Sequence, residues 1–145
     1  MEAQDRSQVK RLAQLLTKLD REFREDFKRS NGIPSNLTLA QYQVISIIAE
    51  KGVQCQKDIA LELGVTGPTV VRIIDALEEK ELVRRTRHDK DRRIVLVSLT
   101  DKGVTTQQEC STLHERRLAM MIERLPSPAA DALLTGLSTL LQPSS

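Results

Sequence analysis

Between Val9 and Phe27 the apolar positions Val9, Leu12, Leu15, Leu16, Leu19, Phe23 and Phe27 recur at spacings of three and four on an otherwise charged segment. That stripe predicts an amphipathic helix of about five turns, stopped by the glycine and proline of Ser30-Asn31-Gly32-Ile33-Pro34. A second helix opens at Thr38, whose hydroxyl is placed to cap while Gln41, three residues on, reaches back. It carries Val44, Ile45, Ile47 and Ile48 and stops at Gly52. A short helix from Gln56 to Leu63 follows, with Gly64 set to take the left-handed conformation after its last turn. Thr66 then caps a longer helix, with Pro68 tolerated in its first turn and Val70, Val71, Ile73, Ile74 and Leu77 on its buried face.

After Lys80 the period changes to two. Arg93 to Leu99 reads as a strand and Leu82 to Thr86 as its antiparallel partner, joined by a polar tip from Arg87 to Arg92. Helical spacing returns at Thr100, which caps a long segment carrying Val104, Leu113, Leu118, Met121, Ile122 and Leu125 and ended by Pro126. Ser127, as a cap followed by Pro128, opens a last helix with Leu133, Leu134, Leu137, Leu140 and Leu141. The pattern predicts a mainly α chain with one small β-hairpin.

Composition narrows the class. At 145 residues the chain is one domain's worth, and with aromatics at 2% its core rests on Leu, Ile, Val and Ala, which favours helices. The net charge of +2 says little by itself. Its distribution says more: Arg84, Arg85, Arg87, Lys90, Arg92 and Arg93 crowd the hairpin against only Asp89 and Asp91. The apolar stretch Val44 to Ala49, broken by Ser46, is far too short to span a bilayer. The N-terminus lacks the apolar core of a secretory signal, so a cytoplasmic location without membrane association is expected. Two cysteines, Cys55 and Cys110, suit a reducing compartment better than a disulfide framework.

A short helix, a glycine turn and a second helix make a helix-turn-helix, with Ala60 small enough for close approach. A strand pair directly after the second helix turns it into a winged helix. A major groove about 12 Å wide admits that helix, whereas a minor groove of about 6 Å admits only a thin projection such as an arginine-bearing turn. On the recognition helix Thr66, Gly67, Pro68, Thr69 and Arg72 lie at the end that enters the groove, and on the wing Arg87, Lys90, Arg92 and Arg93 carry the charge. Arg72 matches the two acceptors of a guanine edge, with a phosphate contact or an internal ion pair as its other readings. Asp89 and Asp91 make sense beside DNA if a carboxylate holds a guanidinium in a fixed pose, Asp91 with Arg93 being the preferred pair. The other reading is that they only brace the turn.

These residues resemble the MarR (multiple antibiotic resistance regulator) family of transcription regulators over about residues 7 to 142. The most specific part is Asp89-Lys90-Asp91-Arg92-Arg93 followed by Ser98-Leu99-Thr100, which is similar to the family's wing signature. Leu37-Thr38 with Gln41, Lys57-Asp58-Ile59-Ala60 with Leu63-Gly64-Val65, Pro68-Thr69-Val70 with Arg72, and Leu77-Glu78 before Leu82-Val83 agree with it. The resemblance implies a winged helix-turn-helix lobe over residues 37–100 and a helical dimerisation region over 1–36 and 101–145. It further implies a homodimer that binds a pseudopalindromic double-stranded operator, as a repressor released by a small-molecule effector. The terminal stripes agree from the residues alone, since a lobe this small leaves them needing partners; packing within one chain is the other reading.

The family suggests a phenolic or other aromatic effector, for which Phe23, Phe27 and Tyr42 are the stacking groups. Cys55 stands where the family caps the first helix of the motif with Thr or Ser, and a helix N-terminus favours a thiolate. A thiol-based redox regulator using Cys55 is therefore one alternative, and a winged helix that meets an acidic protein is another. Cys110 with His114 is too few ligands for zinc. No metal, cofactor or enzymatic activity is expected, since neither a phosphate loop nor a catalytic triad is present and His88 lies in the basic tip.

Overall fold

A computed structural model describes residues 3–29 and 36–143. Along it run α1 (Ala3–Arg29), α2 (Leu39–Lys51), β1 (Gln54–Cys55), α3 (Gln56–Leu63), α4 (Gly67–Glu79), β2 (Val83–Arg87), β3 (Val95–Leu99), α5 (Asp101–Ile122) and α6 (Ser127–Leu140). The stop expected at Ser30 to Pro34 lies outside the described residues. The chain divides into two compact units, the first ending at Cys110 and the second beginning at Ser111, so the division falls within α5. Among the described residues no helix is long and apolar enough to cross a membrane.

In the first unit each short helix gives one apolar face to a shared core. Val44, Ile45 and Ile48 of α2, Ile59 and Ala60 of α3, and Val70, Ile74 and Leu77 of α4 are buried with Leu82, Val83 and Val97. The entry to α2 is fixed by a reciprocal cap, in which the Gln41 N–H donates to Thr38 Oγ1 at 3.1 Å and the Thr38 N–H donates to Gln41 Oε1 at 3.2 Å. In the sheet β3 lies between β1 and β2, and both neighbours run antiparallel to it. The β2–β3 ladder runs from Val83 opposite Leu99 to Arg87 opposite Val95. Leu82, Arg93 and Ile94, expected in the strands, lie outside them, and Arg87, expected in the tip, ends β2. β1, pairing Gln54 with Val97 and Cys55 with Leu96, is an addition, since two residues have no period to read.

The passage from α4 into the wing is a tightly held joint. Glu81 takes a φ of 60°, the left-handed region that favours glycine. Leu82 is fully buried; its N–H donates to Leu77 O at 3.0 Å and its carbonyl accepts from the Thr100 N–H at 3.1 Å. The Thr100 hydroxyl donates to Glu81 O at 2.6 Å and accepts from the Gly103 N–H at 3.0 Å, the capping role its position predicts. The Lys80 ammonium donates to Asn36 O at 3.0 Å and Gln41 Oε1 at 2.9 Å, and the Lys102 ammonium donates to Lys80 O at 3.0 Å. Burial holds Lys80 below the ordinary lysine range.

α5 buries a different face from the one its large apolar residues suggest. Gly103, Thr106 and Cys110 point into the first unit, whereas Val104 is exposed. At position 103 the reason is steric, because a Cβ there would collide with the Leu82 carbonyl. Burial, with Glu109 adding to it, pushes the Cys110 thiol up to about 11. Among the described side chains of α1, Phe27 is buried and Phe23 and Asp26 are half-buried, while Val9, Leu12, Leu15, Leu16 and Leu19 are exposed.

In the second unit α5 ends at Ile122, and the Arg124 and Leu125 N–H groups donate to Met121 O and Ile122 O in tighter turns before Pro126. α6 then begins one residue earlier than expected. Pro126 holds the cap position, extended at φ −58° and ψ 146°, and Ser127 is already helical, so its hydroxyl makes no cap bond. No residue of α6 is buried, and Leu133, Leu134, Leu137 and Leu140 are all exposed.

Gly103→Ala is expected to destabilise the protein by about 1–3 kcal/mol through overpacking, although alanine usually gains about 1 kcal/mol over glycine inside a helix. Urea unfolding of the two proteins checks the sign.

Candidate nucleic-acid interface

Helix ends fix the geometry of α3 and α4. At the start of α3, Cys55 Sγ accepts from the Asp58 N–H at 3.4 Å, so the thiol takes the place of a hydroxyl cap, half-buried. At its end Gly64 adopts φ 69° and ψ 33°, its N–H donating to Leu61 O at 3.2 Å and the Val65 N–H to Ala60 O at 3.0 Å. That left-handed stop redirects the chain within three residues into α4. Thr66 caps α4, accepting from the Thr69 N–H at 3.4 Å, and the two threonine hydroxyls lie 2.9 Å apart. Thr66, Gly67, Pro68, Thr69 and Arg72 are all exposed, and Pro68 and Arg72 lie on the opposite side of α4 from the buried Val70, Ile74 and Leu77.

The wing tip is closed by its own backbone and by four side chains. The His88 N–H donates to Ile94 O and the Ile94 N–H to Asp91 O, each at 3.0 Å. His88 Nδ1 accepts from the Lys90 and Asp91 N–H groups at 3.2 and 3.4 Å, so the tip histidine organises the turn. Arg87 Nη1 donates to Arg92 O at 3.2 Å. Asp91 and Arg93 form a bidentate pair, Nε to Oδ1 at 3.0 Å and Nη2 to Oδ2 at 3.1 Å, and the Arg93 N–H adds a bond to Oδ1 at 3.1 Å. The Arg93 side chain remains 91% exposed, so the carboxylate aims the guanidinium without covering it. Asp89, by contrast, is simply exposed, as are Lys90 and Arg92. The Arg93 side chain, and then its backbone N–H, hold the Asp91 carboxyl below the usual carboxylate range.

Arg85 behaves differently from the rest of the basic run. Its Nη2 lies 2.7 Å from Asp75 Oδ1 and 3.2 Å from Val71 O, its Nη1 3.1 Å from Glu78 Oε1, and its Nε 3.4 Å from Gln56 Oε1. The Arg85 N–H also donates to Glu78 Oε2 at 3.3 Å. It therefore ties β2 to α3 and α4. A signal for it was available, because alternation along β2 puts Arg85 on the same face as the buried Val83.

The aromatic residues lie elsewhere. Phe27 and Tyr42 are both buried, their ring centroids 5.3 Å apart at 34°, where α1 meets α2, and Phe23 is one turn back on α1. These two rings are part of the first unit's core.

Comparison with known proteins places this geometry. A model described as the MarR family matches residues 37–95. The transcriptional regulator ZitR of Lactococcus lactis subsp. cremoris is 32% identical over 83 residues, 57% of this chain and 57% of ZitR. The chain thus spans little more than half the length of the curated relatives it matches. Among solved structures, the transcriptional repressor CouR bound to a 23-mer DNA duplex is 33% identical with a TM-score of 0.78, covering 90% of this chain and 92% of that one. The regulator BldR from Sulfolobus solfataricus is 28% identical with a TM-score of 0.80, covering 97% and 98%. These relatives are transcription regulators rather than enzymes.

The Asp91–Arg93 pair makes a pH prediction. A carboxyl whose pKa is depressed contributes its interaction above the unfolded value, and the contribution is lost as pH falls through the folded value. The Asp91 carboxyl, followed by carbon NMR, is expected to titrate below about 3.9, the unperturbed value, so the wing stays pinned at neutral pH. A midpoint at or above that value would show that the pair does not hold in solution.

Proposed function

This chain belongs to the MarR family of transcription regulators, and from that membership we propose that it binds double-stranded operator DNA as a homodimer and represses transcription. The observation that carries the reading is the pairing of an exposed α4 N-terminus bearing Arg72 with an adjacent wing whose Arg93 is already aimed by Asp91. α4 enters the major groove, where Thr66, Gly67, Pro68 and Thr69 approach the base edges and backbone and Arg72 reads a guanine. The wing enters the flanking minor groove, where Arg93 is the inserted cation, Arg87, Lys90 and Arg92 meet phosphates, and Asp91 positions the tip.

The dimer is supported by the uncovered leucines of α1 and α6, too many apolar side chains for a lone chain to leave in water without reason. Residues 1–36 and 101–145 supply that assembly, and residues 37–100 form the lobe. A twofold arrangement sets the two recognition helices about 34 Å apart, one duplex turn. Release by a small aromatic effector would act where Phe23, Phe27 and Tyr42 gather between α1 and α2, because opening that seam disturbs the first unit's core.

Selection of bound sequences from random duplexes tests the reading, with a pseudopalindromic site and a twofold footprint as the expected result. Binding that shows no preferred sequence and little salt dependence would favour contact with an acidic protein instead. Arg72→Ala is expected to lose about 1–3 kcal/mol of discrimination at one base pair while retaining non-specific affinity. Arg93→Ala is expected to weaken binding to all sequences and to flatten the salt slope by about one unit per half-site. Fluorescence anisotropy on operator and random duplexes across a salt series measures both.

A further inference from the structure

The carboxylates of Asp75 and Glu78 are out of place on a helix that approaches a polyanion. Their side chains are 53% and 46% exposed and lie one and two turns beyond Arg72 on α4. Both are occupied by one guanidinium, that of Arg85, which also takes the Val71 carbonyl and Gln56. Arg85 reaches them from β2, and its own side chain is only 22% exposed. Beyond it the hairpin has little to lean on: Thr86 and Arg87 are exposed and Val95 is half-buried. Arg85 is therefore the outermost point at which the wing is fastened to the rest of the first unit.

We propose that Arg85, with Asp75 and Glu78, is a positioning clamp that fixes the angle between the wing and the recognition helix, and so sets which grooves Arg72 and Arg93 reach together. The proposal rests on the DNA-binding reading above. A planar fork can hold two carboxylates and a helix carbonyl in one orientation, which a flexible ammonium cannot. Half-exposed pairs of this kind add little to overall stability, so the clamp's contribution lies in geometry. Because Arg85 is already neutralised within the protein, it does not add to the charge that meets the phosphates.

The sign of one experiment separates the clamp from plain electrostatics. Asp75→Asn/Glu78→Gln removes two negative charges from the face near DNA and frees an arginine, so charge alone would make binding tighter on every sequence. The clamp gives the opposite result on the selected operator. The ratio of operator to random-duplex affinity is expected to fall by about tenfold, roughly 1.4 kcal/mol, with random-duplex affinity equal or higher. Hydroxyl-radical footprinting is expected to lose the wing's minor-groove protection while methylation protection under α4 remains. Arg85→Lys, which keeps the charge, is expected to show the same loss with an unchanged salt slope.

A readout independent of DNA accompanies these. Amide hydrogen exchange at His88 to Ile94 and along β2 is expected to speed up in both variants, while exchange in α2 and α4 stays as in the parent. Operator discrimination and wing exchange that match the parent in both variants would overturn the clamp. A parent protein with no sequence preference would instead overturn the DNA reading, and the wing exchange would still decide the clamp.

Discussion

A glycine Cα resting on a peptide carbonyl organises the first unit. α5 comes so close to Leu82 that position 103 has no room for a side chain. That approach brings the Thr100 N–H and hydroxyl onto the two carbonyls that leave α4. The same short stretch ends the recognition helix, starts β2, receives β3 and begins α5. Lys80 extends it by a bond to the α2 capping box, so one joint relates α2, the recognition helix, the wing and α5. Glu81 keeps a left-handed backbone there because neighbours on both sides hold it in place.

Features that depend on near neighbours in the chain were legible in the residues. The Thr38–Gln41 box, the Gly64 turn, the Thr66 cap and the two alternating strands each rest on spacings of a few residues; the caps and the turn form where the spacing places them, and the strands form with their ends shifted by one or two residues. What stayed hidden depends on distant partners. β1 is two residues long and exists only because β3 offers it an edge. The inner face of α5 is a row of small residues, visible only once the Leu82 carbonyl is known to press on it. Ser127 looked like a cap because it precedes proline, but Pro126 had already taken the extended conformation that a cap requires.

The wing shows how far a count of charges can mislead. Six bases suggest an evenly cationic hairpin, yet Arg85 is turned inward to Asp75 and Glu78 and Arg93 is steered by Asp91. Alternation along β2 places Arg85 on the inner face with Val83, which a count of charges does not register. Asp91 at the tip, which counts against DNA contact when read singly, instead fixes an arginine that would otherwise lose rotamer freedom on binding. Preorganisation of that kind converts more of an interaction into affinity.

The inward turn of Arg85 also bears on time. If the protein searches DNA as proposed, its dwell at random positions is set by cations that displace counterions. A wing that turns one arginine inward grips random duplex more weakly than its composition implies. Each wrong position is then left sooner, and more sites are sampled in a given time.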